Sequence, residues 1–177
     1  MTQRILIWYR NDLRVHDLLA LDEAVQQQAE IIPVYCFDDR NFGETSFGFP
    51  KTGNYRAQFL IESVADLRAS LQKLGSNLVV RRGLPEEIIP AIAEQLKVDR
   101  VCYSQEVTGE EKQVENKLKQ ALLAKNIQVN SYWEATLYLP EDLPFKIKQT
   151  PELYTNFRKQ VEKKSEINQS LSAPKQL

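Results

Sequence analysis

Only six glycines, two cysteines, one methionine and one histidine occur among the 177 residues. With glycine so scarce, neither G-x-G-x-x-G nor G-x-x-x-x-G-K-[ST] is present, which argues against a dinucleotide or triphosphate cradled by backbone amides. The lone histidine, His16, comes with no G-x-S-x-G and no Cys/His nucleophile arrangement, so it reads as a surface or capping residue rather than a general base. Cys36 and Cys102 lie in the apolar runs PVYCF and RVCYS, where a thiol behaves as a small buried hydrophobe. Neither belongs to a CxxC or a Cys/His cluster, so no metal site is expected. No apolar stretch approaches the roughly 20 residues of a membrane span. The N-terminus has no signal-peptide apolar region, and a cytoplasmic location is the expectation. A net charge of −1 offers no broad attraction for nucleic acid or anionic lipid, so direct DNA binding by this chain alone is not expected.

What is present is an ordinary globular composition, 42% hydrophobic and 27% charged, in a chain long enough to bury a real core as one domain. Five short β-rich runs stand out: RILIWYR (4–10), EIIPVYCF (30–37), NLVVRR (77–82), DRVCYS (99–104) and IQVNSYW (127–133). Their apolar content suits strands covered on both faces. Between them, Tyr55, Phe59, Leu60, Val64, Leu67, Leu71 and Leu74 form the stripe of a long helix that Gly75 is placed to end. Thr108-Gly109-Glu110-Glu111 has the form of a capping box, followed by Val114, Leu118, Ala121 and Leu122 as a buried face. Leu84-Pro85-Glu86-Glu87 opens another helix with proline in its first turn. Thr150-Pro151-Glu152 repeats that device before Leu153, Tyr154, Phe157 and Val161.

Alternating strands and helices from residue 4 to about 132 specify an α/β fold, a Rossmann-like three-layer sandwich with a five-stranded parallel sheet. The domain is expected to span residues 1–164, with 165–177 a polar tail or the start of a linker. Residues 38–53 form a long excursion, and long ordered loops tend to be functional.

In such a sheet, ligands bind beyond the carboxyl ends of the strands. The polar chemistry gathers there: Arg10 to Arg14, Asp38-Asp39-Arg40, Arg82-Gly83, Gln105-Glu106 and Trp133-Glu134. Glu106 follows a central strand and precedes the Thr108 helix, so its carboxylate should project from the rim. In a partly dry pocket it can accept paired N–H donors from a flat heterocycle with a 2-amino-oxo edge, as guanine and pterins have. The alternative is a helix-terminal acid favoured by the macrodipole. Arg10, Asp12 and Arg14 read either as a local ion network or as a docking site for a partner domain.

The stretch Trp8-Tyr9-Arg10-Asn11-Asp12-Leu13-Arg14-Val15-His16-Asp17 resembles the W-[FY]-R-N-D-L-R-x-H-D motif of the photolyase/cryptochrome family. PVYCFDDRNF (33–42), GFPKTGNYRAQFLIESVADLR (48–68), QEVTGEE (105–111), YWEATLY (132–138), EDLPF (141–145) and ELYTNFRKQVE (152–162) are similar to DASH-type cryptochromes in particular. The resemblance implies an N-terminal α/β domain whose full-length relatives add a helical domain holding FAD and binding DNA. The flavin and electron-transfer residues belong to that helical part, so none maps here and no catalytic residue is assigned. The resemblance also implies a light-harvesting antenna, methenyltetrahydrofolate, between the two domains. Glu106 is then its hydrogen-bond partner, and Gln105, Phe37, Asp38 and Cys36 are weaker candidates for the same crevice. Glu134-Ala135 stands where the family commonly has Gly-Ser, altering a strand-tip turn beside that crevice.

Two functions are therefore expected to compete. One is a non-catalytic antenna module. The other is a ligand-free interaction domain that docks an FAD-binding helical domain in cis or in trans, with self-association through the exposed rim. Nucleotide hydrolysis or transfer has no phosphate loop, metal cluster or nucleophile to carry it.

Overall fold

The computed structural model describes residues 2–177. Its strands are β1 (Arg4–Tyr9), β2 (Glu30–Asp38), β3 (Val79–Gly83), β4 (Arg100–Ser104) and β5 (Gln128–Tyr132). They pair in the order β3-β2-β1-β4-β5, all parallel. Between them run α1 (Leu19–Gln26), α2 (Asn54–Lys73), α3 (Pro85–Gln95) and α4 (Gly109–Leu123), and α5 (Tyr154–Lys164) follows the sheet.

The period-2 alternation of strand side chains divides the core into two layers. Leu6, Trp8, Val34, Cys36, Val101 and Tyr103 face α3 and α4, meeting Ile89, Ile92, Leu118 and Leu122. Ile5, Ile7, Tyr9, Tyr35 and Cys102 face α1 and α2, meeting Leu21, Ala24, Val64, Leu67 and Leu71. Burying a side chain such as Leu118, fully enclosed here, contributes about 1.5–3 kcal/mol. The expected Rossmann-like three-layer sandwich is what forms. Among the described residues no helix is long and apolar enough to cross a membrane.

Three local expectations need correction. The α2 stripe is fully buried only from Val64 onward; Leu60 is partly buried against the core, and Tyr55 and Phe59 are 91% and 71% exposed. Thr108 is the N-cap of α4 in extended conformation. Its hydroxyl donates to the Glu111 carboxylate instead of accepting a backbone N–H, so no capping box forms. Pro151 lies outside α5, which starts at Tyr154 with Leu153 as N-cap. The 165–177 segment is fastened to the body: Asp17 and Leu171 exchange bonds of 2.8 and 3.1 Å, and Leu177 N–H reaches the Leu74 carbonyl at 2.7 Å.

Helix α1 carries no local start signal, since its N-cap is Leu18 and makes no side-chain cap. Its first free amide, Leu19 N–H, is instead taken by the Glu134 carboxyl from beyond β5. The 38–53 excursion is ordered by Thr45 N–H to Phe49 carbonyl (2.8 Å), Lys51 N–H to Gly43 carbonyl (2.9 Å) and Thr52 Oγ1 to Asn41 carbonyl (2.6 Å). Gly48 turns its tip at φ +80°, a conformation glycine adopts without a Cβ penalty.

Candidate functional site

The chain leaves β1 for β2 on one side and later crosses from β3 to β4 on the other. The switch point of the sheet is thus between β1 and β4, where the ends of adjacent strands diverge and open a crevice. Residues Arg10–Asp12 and Gln105–Glu106 flank it.

Arg10 is turned inward. Its guanidinium lies 4.6 Å over the Trp8 ring, donates to the Ser104 carbonyl at 3.2 Å and pairs with Glu115 of α4. The two charged side chains are 8% and 13% exposed. The same Glu115 oxygen accepts the backbone N–H of Glu106 at 2.9 Å, so a buried ion pair fixes where the 106 backbone sits. Asn11 Nδ2 then donates to Glu106 Oε1 at 2.7 Å across the switch point. Asp12 is buried, with Oδ1 on the Arg10 N–H at 2.7 Å and Oδ2 at 2.6 Å from Ser104 Oγ. Arg14 spends its guanidinium on the His16 and Asp17 carbonyls. Among the described residues Arg10, Asp12 and Arg14 form no ion pair with one another; their contacts run through backbone groups, Ser104 and Glu115 of α4.

A cavity of about 370 Å³ opens beside this crossing, between the ends of β1 and β2 and the start of α4. Trp8 and Cys36 line its depth. Asn11, Asp38, Arg40, Lys51, Thr108, Glu111 and Lys117 line its walls. Arg40 is clamped between Asp38 (2.6 Å) and the buried Glu86 (2.8 Å), with Lys117 at 3.7 Å from Glu86. Hydrogen bonding to Asp38 is the main reason the Arg40 guanidinium holds its proton more firmly than usual. Burial pushes the Cys36 thiol up to about 12, with Asp38 adding to the rise, which leaves it protonated and unreactive.

A larger hollow, about 720 Å³, lies at the opposite edge of the sheet among Glu94, Lys97, Asp99, Lys125 and Gln128. Three of its charged groups are already engaged, Lys125 with Glu94 at 2.6 Å and Asp99 with the Arg4 N–H at 2.7 Å. It also sits below the amino ends of the strands, away from the switch point, so the smaller cavity is the chemically relevant one.

Of the candidate ligand residues, Cys36 and Asp38 line the 370 Å³ cavity. Glu106 is half-buried and does not itself line that cavity; it is tied to it through Asn11, which does. Gln105 turns toward β5, with Nε2 on Ser131 Oγ at 2.8 Å. Phe37 projects to the other face, edge-on to Tyr35 at 4.9 Å, because strand alternation sends 36 and 37 opposite ways. Gln105 and Phe37 therefore do not line the crevice. Asn11, Arg40, Glu86 and Glu115 were not singled out individually from sequence. Only strand-tip clustering pointed to Asn11 and Arg40, and nothing local pointed to Glu86 or Glu115. Glu106 Oε2 makes no hydrogen bond among the described residues, and Oε1 keeps a second lone pair beside Asn11. One edge of the carboxylate is free for paired N–H donors.

Known proteins share this fold. A cryptochrome DASH of Gloeobacter violaceus is 54% identical over 99% of this chain and 35% of its own length. The crystal structure of a Synechocystis cryptochrome superposes with a TM-score of 0.96 at 46% identity, covering 100% of this chain and 37% of that one. An archaeal photolyase from Sulfolobus tokodaii, described with two FAD molecules and a novel light-harvesting cofactor, shares the fold at TM-score 0.81 and 21% identity, over 98% of this chain and 38% of its own. The chain spans little more than a third of the length of these relatives. The profile described as DNA photolyase matches residues 5–175, and with the parallel sheet and its switch-point crevice in place the chain belongs to the DNA photolyase family, as the N-terminal α/β portion of its DASH cryptochrome branch.

Proposed function

We propose that this chain is the antenna-binding, light-harvesting part of a larger photoreceptor, and that it takes methenyltetrahydrofolate against Glu106 without performing chemistry itself. The observation that carries the reading is the Glu106 carboxylate: half-buried, fixed through its backbone by Glu115, steered by Asn11, and left with one free oxygen at the switch point. A pterin ring presents adjacent N–H donors on its 2-amino-oxo edge, which a carboxylate accepts side by side. Such charge-assisted pairs are about twice as strong as neutral ones. The donor and acceptor chemistry of Glu106 and Asn11 therefore fits the group. Bound there, the folate supplies absorption of near-ultraviolet and blue light, for transfer to a flavin held by the helical domain. The names of the relatives, cryptochrome DASH and blue-light photoreceptor, support the same reading.

The test is titration of the purified chain with methenyltetrahydrofolate, following its near-ultraviolet band. A shifted band that weakens in Glu106→Gln supports the reading. Absence of any shift at high ligand concentration refutes folate binding by this chain.

A second reading is docking of an FAD-binding helical domain. It is favoured by an exposed aromatic face: Phe47 and Phe49 stack at 6.2 Å, and Tyr55 and Phe59 stand out from α2 nearby in the chain. Exposed apolar patches mark interaction sites. The two readings are compatible, since the antenna would sit between the domains.

A further inference from the structure

The carboxyls of Asp12 and Glu134 both approach the Ser104 hydroxyl, each at 2.6 Å. An oxygen–oxygen contact that short needs a hydrogen between the atoms, and a serine hydroxyl has only one. Two contacts require two hydrogens, so one carboxyl must bring the second.

We propose that Asp12, Ser104 and Glu134 form a proton-sharing chain in which Glu134 is a neutral carboxylic acid donating to Ser104, while Ser104 donates to Asp12. Glu134 and Ser104 are thereby positioning residues that latch the loop after β1 onto the ends of β4 and β5. The other oxygen of each carboxyl is engaged by a backbone donor. Asp12 Oδ1 accepts the Arg10 N–H at 2.7 Å, and Glu134 Oε1 accepts the Leu19 N–H at the start of α1. Each carboxyl thus has one oxygen on a backbone donor and one on the shared hydroxyl.

The groups facing Glu134 come from several elements. The Leu19 N–H and Arg14 favour its ionised form, as the Ser104 hydroxyl on β4 does when its hydrogen points to Glu134 rather than to Asp12, whereas burial and Asp12 oppose it. Burial is the largest effect and the net shift is upward from the ordinary 4.5. Tyr9 on β1, whose fully buried hydroxyl has no hydrogen-bond partner among the described residues, feels the charges of Asp12, Arg14 and Glu134. A raised folded value gives a definite sign: stability is complete below the ordinary carboxyl value and is lost as pH rises through the raised one. Removal of the proton leaves two carboxylates against a single hydroxyl hydrogen and loosens the loop that carries Asn11, the residue bonded to Glu106. This last consequence rests on the ligand reading above; the shared proton does not.

Infrared spectroscopy of the ligand-free chain, with carbon-13 glutamate for assignment, reads the proton directly. A protonated-carboxyl band that persists above the pH at which a free glutamate ionises, and disappears in Glu134→Gln, is the expected result, and its absence from the unmodified chain overturns the proposal even where a variant does not fold. The urea midpoint as a function of pH gives the second readout. The amide of Glu134→Gln copies the neutral acid, donating to Ser104 and accepting from Leu19, so that variant keeps its stability at the alkaline end where the unmodified chain loses it. Parallel pH profiles for the two overturn the proposal. Neither arm contains folate, so failure of the antenna reading leaves both outcomes distinct.

Discussion

Truncating Glu115 to alanine isolates the ion pair beneath the candidate site. Arg10 would keep its position over Trp8 and its bond to the Ser104 carbonyl, but lose its one carboxylate partner among the described residues, in a place where its side chain is 8% exposed. Breaking a buried pair from one side costs about 3–5 kcal/mol, because the remaining charge stays desolvated. The Glu106 N–H also loses its acceptor, which adds roughly 1 kcal/mol. Stacking on Trp8 and water entering the vacated space offset part of this, so the total stays within about 3–5 kcal/mol. For a domain of this size the melting temperature then falls on the order of 10 °C. Urea unfolding followed by circular dichroism measures the loss at equilibrium. The double variant Arg10→Met/Glu115→Leu should recover most of it, since an apolar pair of similar volume avoids desolvation altogether. A loss under about 1 kcal/mol for Glu115→Ala, the range of exposed pairs, refutes the claim that this pair is buried and fixes the 106 backbone.

Two further outcomes follow from burial and exposure. Cys36 and Cys102 are pushed up to about 12 and about 11, mainly by burial, from an ordinary 9.0. Their contribution to stability is intact below 9.0 and declines as pH climbs toward those values. Thiol-reagent labelling at mildly alkaline pH should therefore track global unfolding; rapid labelling of the folded chain would contradict that. Replacing Phe47 and Phe59 by serine should leave stability within about 0.5 kcal/mol, as at other exposed positions, while reducing self-association in sedimentation. A concentration-independent monomer for the unmodified chain would remove the aromatic face as an association surface.

The parts of this fold legible in the sequence are those set by local periodicity. Continuous apolar runs gave β1, β2 and β4, which are largely buried, and Pro85 and Gly75 marked real helix ends. Helix α1 was missed because its N-cap is Leu18 and its capping group, Glu134, lies 115 residues away. The Thr108 box failed for a related reason: the motif fixes which groups are close, not which one the hydroxyl hydrogen chooses. Glu106 could be placed at the rim from its position after β4. Its support by Glu115 and Asn11 could not, since those contacts depend on α4 and β1 being brought together by the sheet. Phe37 shows the complementary limit, where a neighbour in sequence to Cys36 belongs to the opposite layer.

The most direct measurement of the central claim is an amide NMR titration of the chain with methenyltetrahydrofolate, following the Asn11 side-chain NH₂ and the Glu106 backbone N–H. The account predicts that these signals shift together with those of the 370 Å³ cavity around Asp38 and Thr108, and that Glu106→Gln weakens the response. Shifts confined to Lys97 and Asn126 at the opposite edge of the sheet, or no shifts at all, would contradict it.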